Sequence, residues 1–219
     1  MPDETRHSRA EEAQVVTDPD QLARLEVFNT VQQYLKIEEM VGYFLDPEHP
    51  FKLRPSHILT LHRAALEGIT GLAGVWRPAK VEIGGSRHAP PDAWEVPERI
   101  EELCEYVNEN WTAKKPLHLA SYVMWRLNWI HPFTDGNGRT SRAVSYLVLC
   151  IRLRALLPGK VTIPEQIEKD KTPYYRALEA ADDAWSEGKI DLTKMKQLLG
   201  AMLAKQLHAL YEDSESGGE

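Results

Sequence analysis

With 219 residues, 42% of them hydrophobic, the chain is long enough to bury a core and too apolar to stay unstructured. A formal net charge of −7 argues against the broad basic face that nucleic-acid binding requires. No stretch has the apolar length of a bilayer span or of a secretory h-region, so a cytoplasmic protein is expected, with secretion as an effector not excluded.

Residues 1–20 are polar and aperiodic and read as a mobile arm. From Leu22 to about Leu45, the positions of Leu25, Phe28, Val31, Leu35, Met40 and Phe44 predict an amphipathic helix ending before Asp46-Pro47. Residues 21–54 thus form an N-terminal helical segment ahead of a core domain at 55–190. Pro55 suits the first turn of a second helix that carries Ile58, Leu59, His62, Leu66 and Ile69 and is broken by Gly71 and Gly74.

Val75 to Pro91 is the one extended stretch. Val81-Glu82-Ile83 alternates apolar and polar residues and Gly84-Gly85 offers a turn, which predicts a short hairpin. A helix with Ile100, Leu103, Cys104 and Val107 follows, then another opened by Pro116 with Leu119, Val123, Leu127 and Ile130. Helical periodicity resumes after Arg139 through Ala143, Leu147, Cys150 and Ile151. Cys104 and Cys150, each inside an apolar pattern, read as buried thiols and not as a disulfide or zinc site. Residues 191–219 give a final helix, Leu192 to Leu210, and an acidic tail from Glu212. The fold class is all-α, a compact helical bundle with one small β-hairpin.

Between two of these helices lies His131-Pro-Phe-Thr-Asp135-Gly136-Asn137-Gly138-Arg139-Thr-Ser-Arg142. The second helix would start near Gly138, and a helix start aims unpaired N–H groups and a positive dipole end at an incoming anion. Glycines let the backbone approach phosphate oxygens, Asp135 can hold Mg²⁺, and Arg139 and Arg142, one turn apart, can offset phosphate charge. A metal-assisted phosphate site is the reading. His62 and His118 read as structural, the six tryptophans as core or helix-packing residues, and Glu95, Glu98, Glu101, Glu102 and Glu105 as one solvated helix face.

The twelve residues match the signature H-x-F-x-[D/E]-G-N-G-R-x-x-R of the Fic family at every defined position. The resemblance covers roughly residues 55 to 185: Leu72 to Gly84 looks like the family's flap and Tyr174-Tyr175-Arg176-Ala177-Leu178 like its later Y-Y-x-A-L segment. It implies a protein adenylyltransferase that moves AMP from ATP to a Ser, Thr or Tyr hydroxyl of a protein. In that scheme His131 is the general base and Asp135 ligates Mg²⁺ between the α- and β-phosphates. Gly136, Asn137 and Gly138 hold the α- and β-phosphates, Arg139 serves the β- and Arg142 the γ-phosphate. Phe133 anchors the loop, and Tyr174 or Tyr175 flanks the adenine. Val81, Glu82, Ile83 and Gly84 form the flap on which a target segment docks by main-chain pairing.

Many relatives are silenced by a helix bearing [S/T]-x-x-x-E-[G/N], whose Glu pairs with the second motif arginine, here Arg142. Ser8 to Glu12 has the spacing but is followed by Ala13, and Glu67-Gly68 has Arg63 at the Ser/Thr position. A separate antitoxin-like inhibitor, or no inhibition in cis, is therefore expected, with a weak lean towards a bacterial toxin or effector. Two other readings stay open: a variant Fic transferase or de-AMPylase using another nucleotide or donor, and a binding module that uses the loop only as an anion nest.

Overall fold

A computed structural model of the chain describes residues 8–9, 15–158 and 161–216, with side chains from 15 to 208 apart from 159–160. The described helices are α1 (Pro19–Leu45), α2 (Pro55–Leu66), α3 (Val96–Glu109), α4 (Pro116–Ile130), α5 (Asn137–Leu153), α6 (Ile163–Lys169), α7 (Thr172–Ser186) and α8 (Thr193–Ser216), with a 3-10 turn at Ala93–Glu95. Proline in the first turn opens α1, α2, α3, α4, α6 and α7, where its missing N–H costs no helical bond. Asp18 caps α1 by accepting the Asp20 N–H at 3.0 Å. Thr162 and Glu165 form a reciprocal capping box that starts α6, a helix too short for periodicity to reveal.

The centre is the hairpin of α4 and α5. Leu119 to Leu127 and Thr140 to Ile151 are buried on all sides, as expected of helices enclosed by others. Helices α1, α2 and α6 pack on α5, while α3, α7 and α8 pack on α4. Ser145 Oγ donates to the Ala120 carbonyl at 2.8 Å and stitches the central pair. Gln206 of α8, fully buried, donates to Tyr146 Oη at 2.9 Å and accepts the Ile163 N–H at 3.1 Å, tying three helices together. Both cysteines are free and buried, as expected.

Several expectations need correction. Helix α1 exists, but Phe28, Val31 and Leu35 of the predicted apolar stripe face outward; the buried positions are Asn29, Ile37 and Val41. Asn29 is held there because its Nδ2 donates to the Glu67 carbonyl at 2.8 Å. Trp94 is 77% exposed and belongs to no core. Helix α8 continues through the acidic tail to Ser216. The predicted hairpin is not formed from residues 75–91 alone: β2 (Glu82–Ile83) pairs antiparallel with β1 (Ser8–Arg9), so the strand partner comes from the arm.

Candidate active site

His131 stands where α4 must end. It adopts the left-handed conformation at the helix C-cap, φ 50° and ψ 59°, with its N–H bonded to Leu127 O at 2.9 Å. This geometry costs a non-glycine residue roughly 1–2 kcal/mol, so something must hold it. That something is Arg77, itself buried: its Nε donates to the His131 carbonyl at 2.8 Å and its backbone N–H to Pro132 O at 2.8 Å. The same guanidinium donates to Ala79 O at 3.0 Å and to Pro91 O, so one side chain fixes both ends of segment 79–91 against the motif.

The loop from His131 to Gly136 folds inward on Phe133. Its ring stacks on the His62 imidazole, with centroids 3.6 Å apart and planes within 2°. His62 Nδ1 accepts the Gly74 N–H at 2.8 Å, which assigns the proton to Nε2, and Nε2 lies 3.0 Å from the Asp135 carbonyl. Asn137 closes the loop from the other side: Oδ1 accepts the Phe133 N–H at 2.9 Å and Nδ2 donates to Phe133 O at 2.8 Å. Gly136 has φ 73°, and a Cβ there would lie 3.0 Å from Leu66 Cδ2, so glycine is required on two counts. At Gly138 a Cβ would meet Arg142 Nη1 at 3.2 Å.

Helix α5 begins at Asn137, so its first-turn N–H groups and positive end open beside this loop. Asp135 Oδ2 accepts from Arg139 at 2.9 Å, and Arg139 also reaches Glu26 of α1 at 3.4 Å. Arg142 is buried and donates to Glu168 of α6 at 2.5 Å; Glu168 in turn holds Lys171 at 2.6 Å. Burial would raise the Glu168 pKa, but Arg142, Lys171 and Arg139 outweigh it and hold the carboxylate below its usual value. Burial pushes His131 down to about 4, with Arg77 and His88 acting in the same direction and the Asn128 backbone and Asp135 opposing. His62 is lowered to about 4 for the same first reason, against the pull of Asp135. Both imidazoles are therefore neutral at physiological pH.

These groups converge on one cavity of about 810 Å³, within the size range of small-molecule sites. His131, Asp135, Gly136, Asn137, Gly138, Arg139 and Arg142 all border it. So do Tyr174, Tyr175 and Ile83, with Glu26 and Tyr34 of α1 forming one wall. Tyr174 is buried, its hydroxyl 2.7 Å from Asn128 Nδ2 and 3.4 Å from Ser141 Oγ, whereas Tyr175 is only half-buried. Of the residues expected to form a flap, Val81 is buried, while Glu82 is exposed. Sequence reading missed Arg77, Glu168 and the positioning part of His62. Only His62 left a trace, as an imidazole on the inward face of α2.

Among the described residues no group of three His, Cys, Asp or Glu side chains is placed to hold a metal. Magnesium in a nucleotide site needs only one or two protein carboxylates, the rest of its shell being phosphate and water. Asp135, 43% exposed and facing the cavity, fits that requirement.

Residues 52–149 match the Fic/DOC family. A protein named "Protein adenylyltransferase Fic" from Drosophila persimilis is 34% identical over 128 residues, 58% of this chain and 23% of its own length. The chain thus spans about a quarter of the curated relatives it matches. Among solved structures, Fic-1 (residues 134–508) from C. elegans superposes with a TM-score of 0.68 at 21% identity, covering 93% of this chain and 56% of that one. The BepC protein of Bartonella tribocorum, a VirB-translocated effector crystallised with bound AMPPNP, gives 0.52 at 14% identity, covering 85% and 88%. The chain thus contains a segment, residues 52–149, that matches the Fic/DOC family, and its helical core shares the fold of these solved structures.

Proposed function

We propose that the chain is a protein adenylyltransferase that transfers AMP from ATP to a hydroxyl side chain of a protein, releasing pyrophosphate. The observation that carries this reading is the meeting of a neutral, buried His131, the α5 N-terminus, Asp135, Arg139 and Arg142 in one cavity bordered by the flap residue Ile83.

In this reading the target hydroxyl attacks the α-phosphorus while His131, neutral because burial disfavours its charge, accepts the proton. Asp135 would hold magnesium, which would supply neutralisation of the phosphate charge. The first-turn N–H groups of α5 receive phosphate oxygens, and Arg139, already aimed at Asp135, stabilises the leaving pyrophosphate. Asn137 acts by shaping the loop, since its amide is engaged on both backbone groups of Phe133. Tyr175 is the better adenine neighbour, because the Tyr174 hydroxyl is tied beneath the site.

Arg142 would take the γ-phosphate, and to do so it must exchange Glu168 for it. A separate inhibitor protein would therefore act on an arginine that already has a carboxylate partner in its own chain. Ser8–Arg9 is strand and not helix, which speaks against Ser8 to Glu12 as a helical brake; Glu12 itself lies outside the described residues. No helix among the described residues is long and apolar enough to cross a membrane.

The test is intact mass of the protein and of His131→Ala after incubation with Mg²⁺, ATP and cell lysate. A histidine-dependent gain of one AMP on any protein supports the reading. Binding of ATP with no transfer in either form would leave a nucleotide-binding module, and transfer only from another nucleotide would overturn the donor.

A further inference from the structure

Beside its phosphate-binding groups the cavity has a second polar feature, on the wall that α4 and α7 share. Asn128 and Trp129 of α4 and Tyr174, Tyr175 and Leu178 of α7 border it there. The Asn128 amide is held in one orientation. Its Nδ2 donates to the Met124 carbonyl at 2.6 Å, to Ser141 Oγ at 2.7 Å and to Tyr174 Oη at 2.7 Å. A main-chain carbonyl can only accept, so the atom facing Met124 must be the nitrogen, and the amide cannot turn over. Ser141 Oγ passes the contact on to Gly138 O at 3.0 Å, in the first turn of α5.

This arrangement commits the nitrogen to the protein and leaves the oxygen. Asn128 is only partly buried, and among the described residues no group bonds its Oδ1. Oδ1 is therefore an acceptor of fixed direction in a residue on the cavity wall. Its place relative to the chemistry follows from α4. Asn128 stands three residues before His131, about 4.5 Å along the helix, and its main-chain carbonyl bonds the His131 ring. Arg139 and Arg142, the cations suited to the outer phosphates, sit on α5 instead.

An acceptor in that place discriminates. Ionised phosphate oxygens have no hydrogen to give, so Oδ1 does not serve them. The donors on a nucleoside triphosphate are the sugar hydroxyls and, in adenine, the exocyclic amine. The sugar lies nearer to a base acting at the α-phosphorus, because its 5′-oxygen is bonded to that phosphorus.

We propose that Asn128 Oδ1 accepts a hydrogen bond from a ribose hydroxyl of the bound nucleotide and so makes the site selective for ribonucleotides over deoxyribonucleotides. The inference rests on the proposed nucleotide-binding role of the cavity. Asn128 is a specificity-determining residue and takes no part in bond making or breaking. Tyr174 gains a role as well: its hydroxyl, tied beneath the site, fixes the amide that reads the sugar.

With Mg²⁺ present, ATP, 2′-deoxy-ATP, 3′-deoxy-ATP and inosine triphosphate are titrated by calorimetry into the full chain and into Asn128→Ala. The unaltered chain should bind ATP about fivefold more tightly than one of the two deoxy forms, as the loss of one hydrogen bond predicts, and should bind inosine triphosphate as it binds ATP. The deoxy form that loses affinity names the hydroxyl. In Asn128→Ala the ratio should fall to about one. A merely structural Asn128 would weaken all four nucleotides alike, so an intact ratio in the variant overturns the inference. Equal binding of ATP and both deoxy forms by the unaltered chain also overturns it, and leaves the transferase reading standing. A loss confined to inosine triphosphate would put the acceptor at the base and overturn it likewise. If Asn128→Ala binds too weakly to measure, Asn128→Asp, which keeps an acceptor oxygen, must retain the ratio, and its loss there overturns the inference. No binding of any nucleotide by the unaltered chain overturns the nucleotide reading and this one together.

Discussion

His62 offers the sharpest test of how the motif loop is held. Replacing it with leucine keeps an apolar side chain of similar reach on α2 but removes the acceptor for the Gly74 N–H, the contact to the Asp135 carbonyl and the ring beneath Phe133. An unsatisfied buried donor costs about 1–3 kcal/mol, and the lost stack roughly 0.5–1.5 kcal/mol. The expected destabilisation is therefore about 2–4 kcal/mol, or about 1–2 M in urea midpoint for a chain of this size. A pH series separates this role from simple packing. Because the folded pKa, about 4, lies below the ordinary 6.5, the unfolded chain binds more protons between these values. The His62 contribution is thus complete above pH 6.5 and is lost as pH falls towards 4, reaching about 3 kcal/mol there. Urea unfolding at several pH values should show this slope in the unaltered protein and a shallower one in His62→Leu. A midpoint shift under about 0.3 M, or an unchanged slope, would refute the reasoning.

Three further outcomes follow from the site. Glu168→Gln should tighten AMPPNP binding by about two- to fivefold in calorimetry, since the Glu168 side chain is 52% exposed and its pair with Arg142 is worth no more than about 1 kcal/mol; weaker binding would show that Glu168 assists the nucleotide. Gly136→Ala should lower the melting temperature by about 3–8 °C, because φ 73° and the 3.0 Å approach to Leu66 Cδ2 both oppose a Cβ; an unchanged melting curve would mean the loop relaxes freely. With His131 lowered to about 4, turnover per bound substrate should be flat from pH 6 to 8 and fall only as pH drops towards that value. A half-maximum near 6.5 would show that the histidine is solvated in the working state.

What the sequence disclosed was local, and what it hid was long-range. Helices α4 and α5 and the loop between them were legible because proline, apolar periodicity and paired glycines act within a few residues. The outward turn of Phe28, Val31 and Leu35 was not, because periodicity says that a helix has two faces and not which one meets α2 and α5. Asn29 took an inward place through a carbonyl 38 residues away. Likewise Glu82–Ile83 was legible as extended, but its partner was not: a strand's pairing depends on which segment the tertiary fold brings alongside, and here that is Ser8–Arg9.

The same distinction explains how the site is built. The left-handed residues His131 and Gly136 bracket the loop, and neither conformation is self-supporting across the intervening turn. Each end is braced by a buried polar side chain from outside the motif: Arg77 at the His131 carbonyl, His62 at the Asp135 carbonyl just before Gly136. Both braces bind backbone oxygens, so they set the loop's path without spending any of the side chains that face the cavity. Asn137 completes the frame from within, leaving Asp135, Arg139 and Arg142 to face charge. Those three already hold counter-ions drawn from the chain, Arg139 with Asp135 and Arg142 with Glu168. In the proposed reading a triphosphate would therefore meet a braced backbone cradle and exchangeable ionic partners, a combination in which binding would cost little reorganisation and displacement of the Glu168 carboxylate would set how readily it begins.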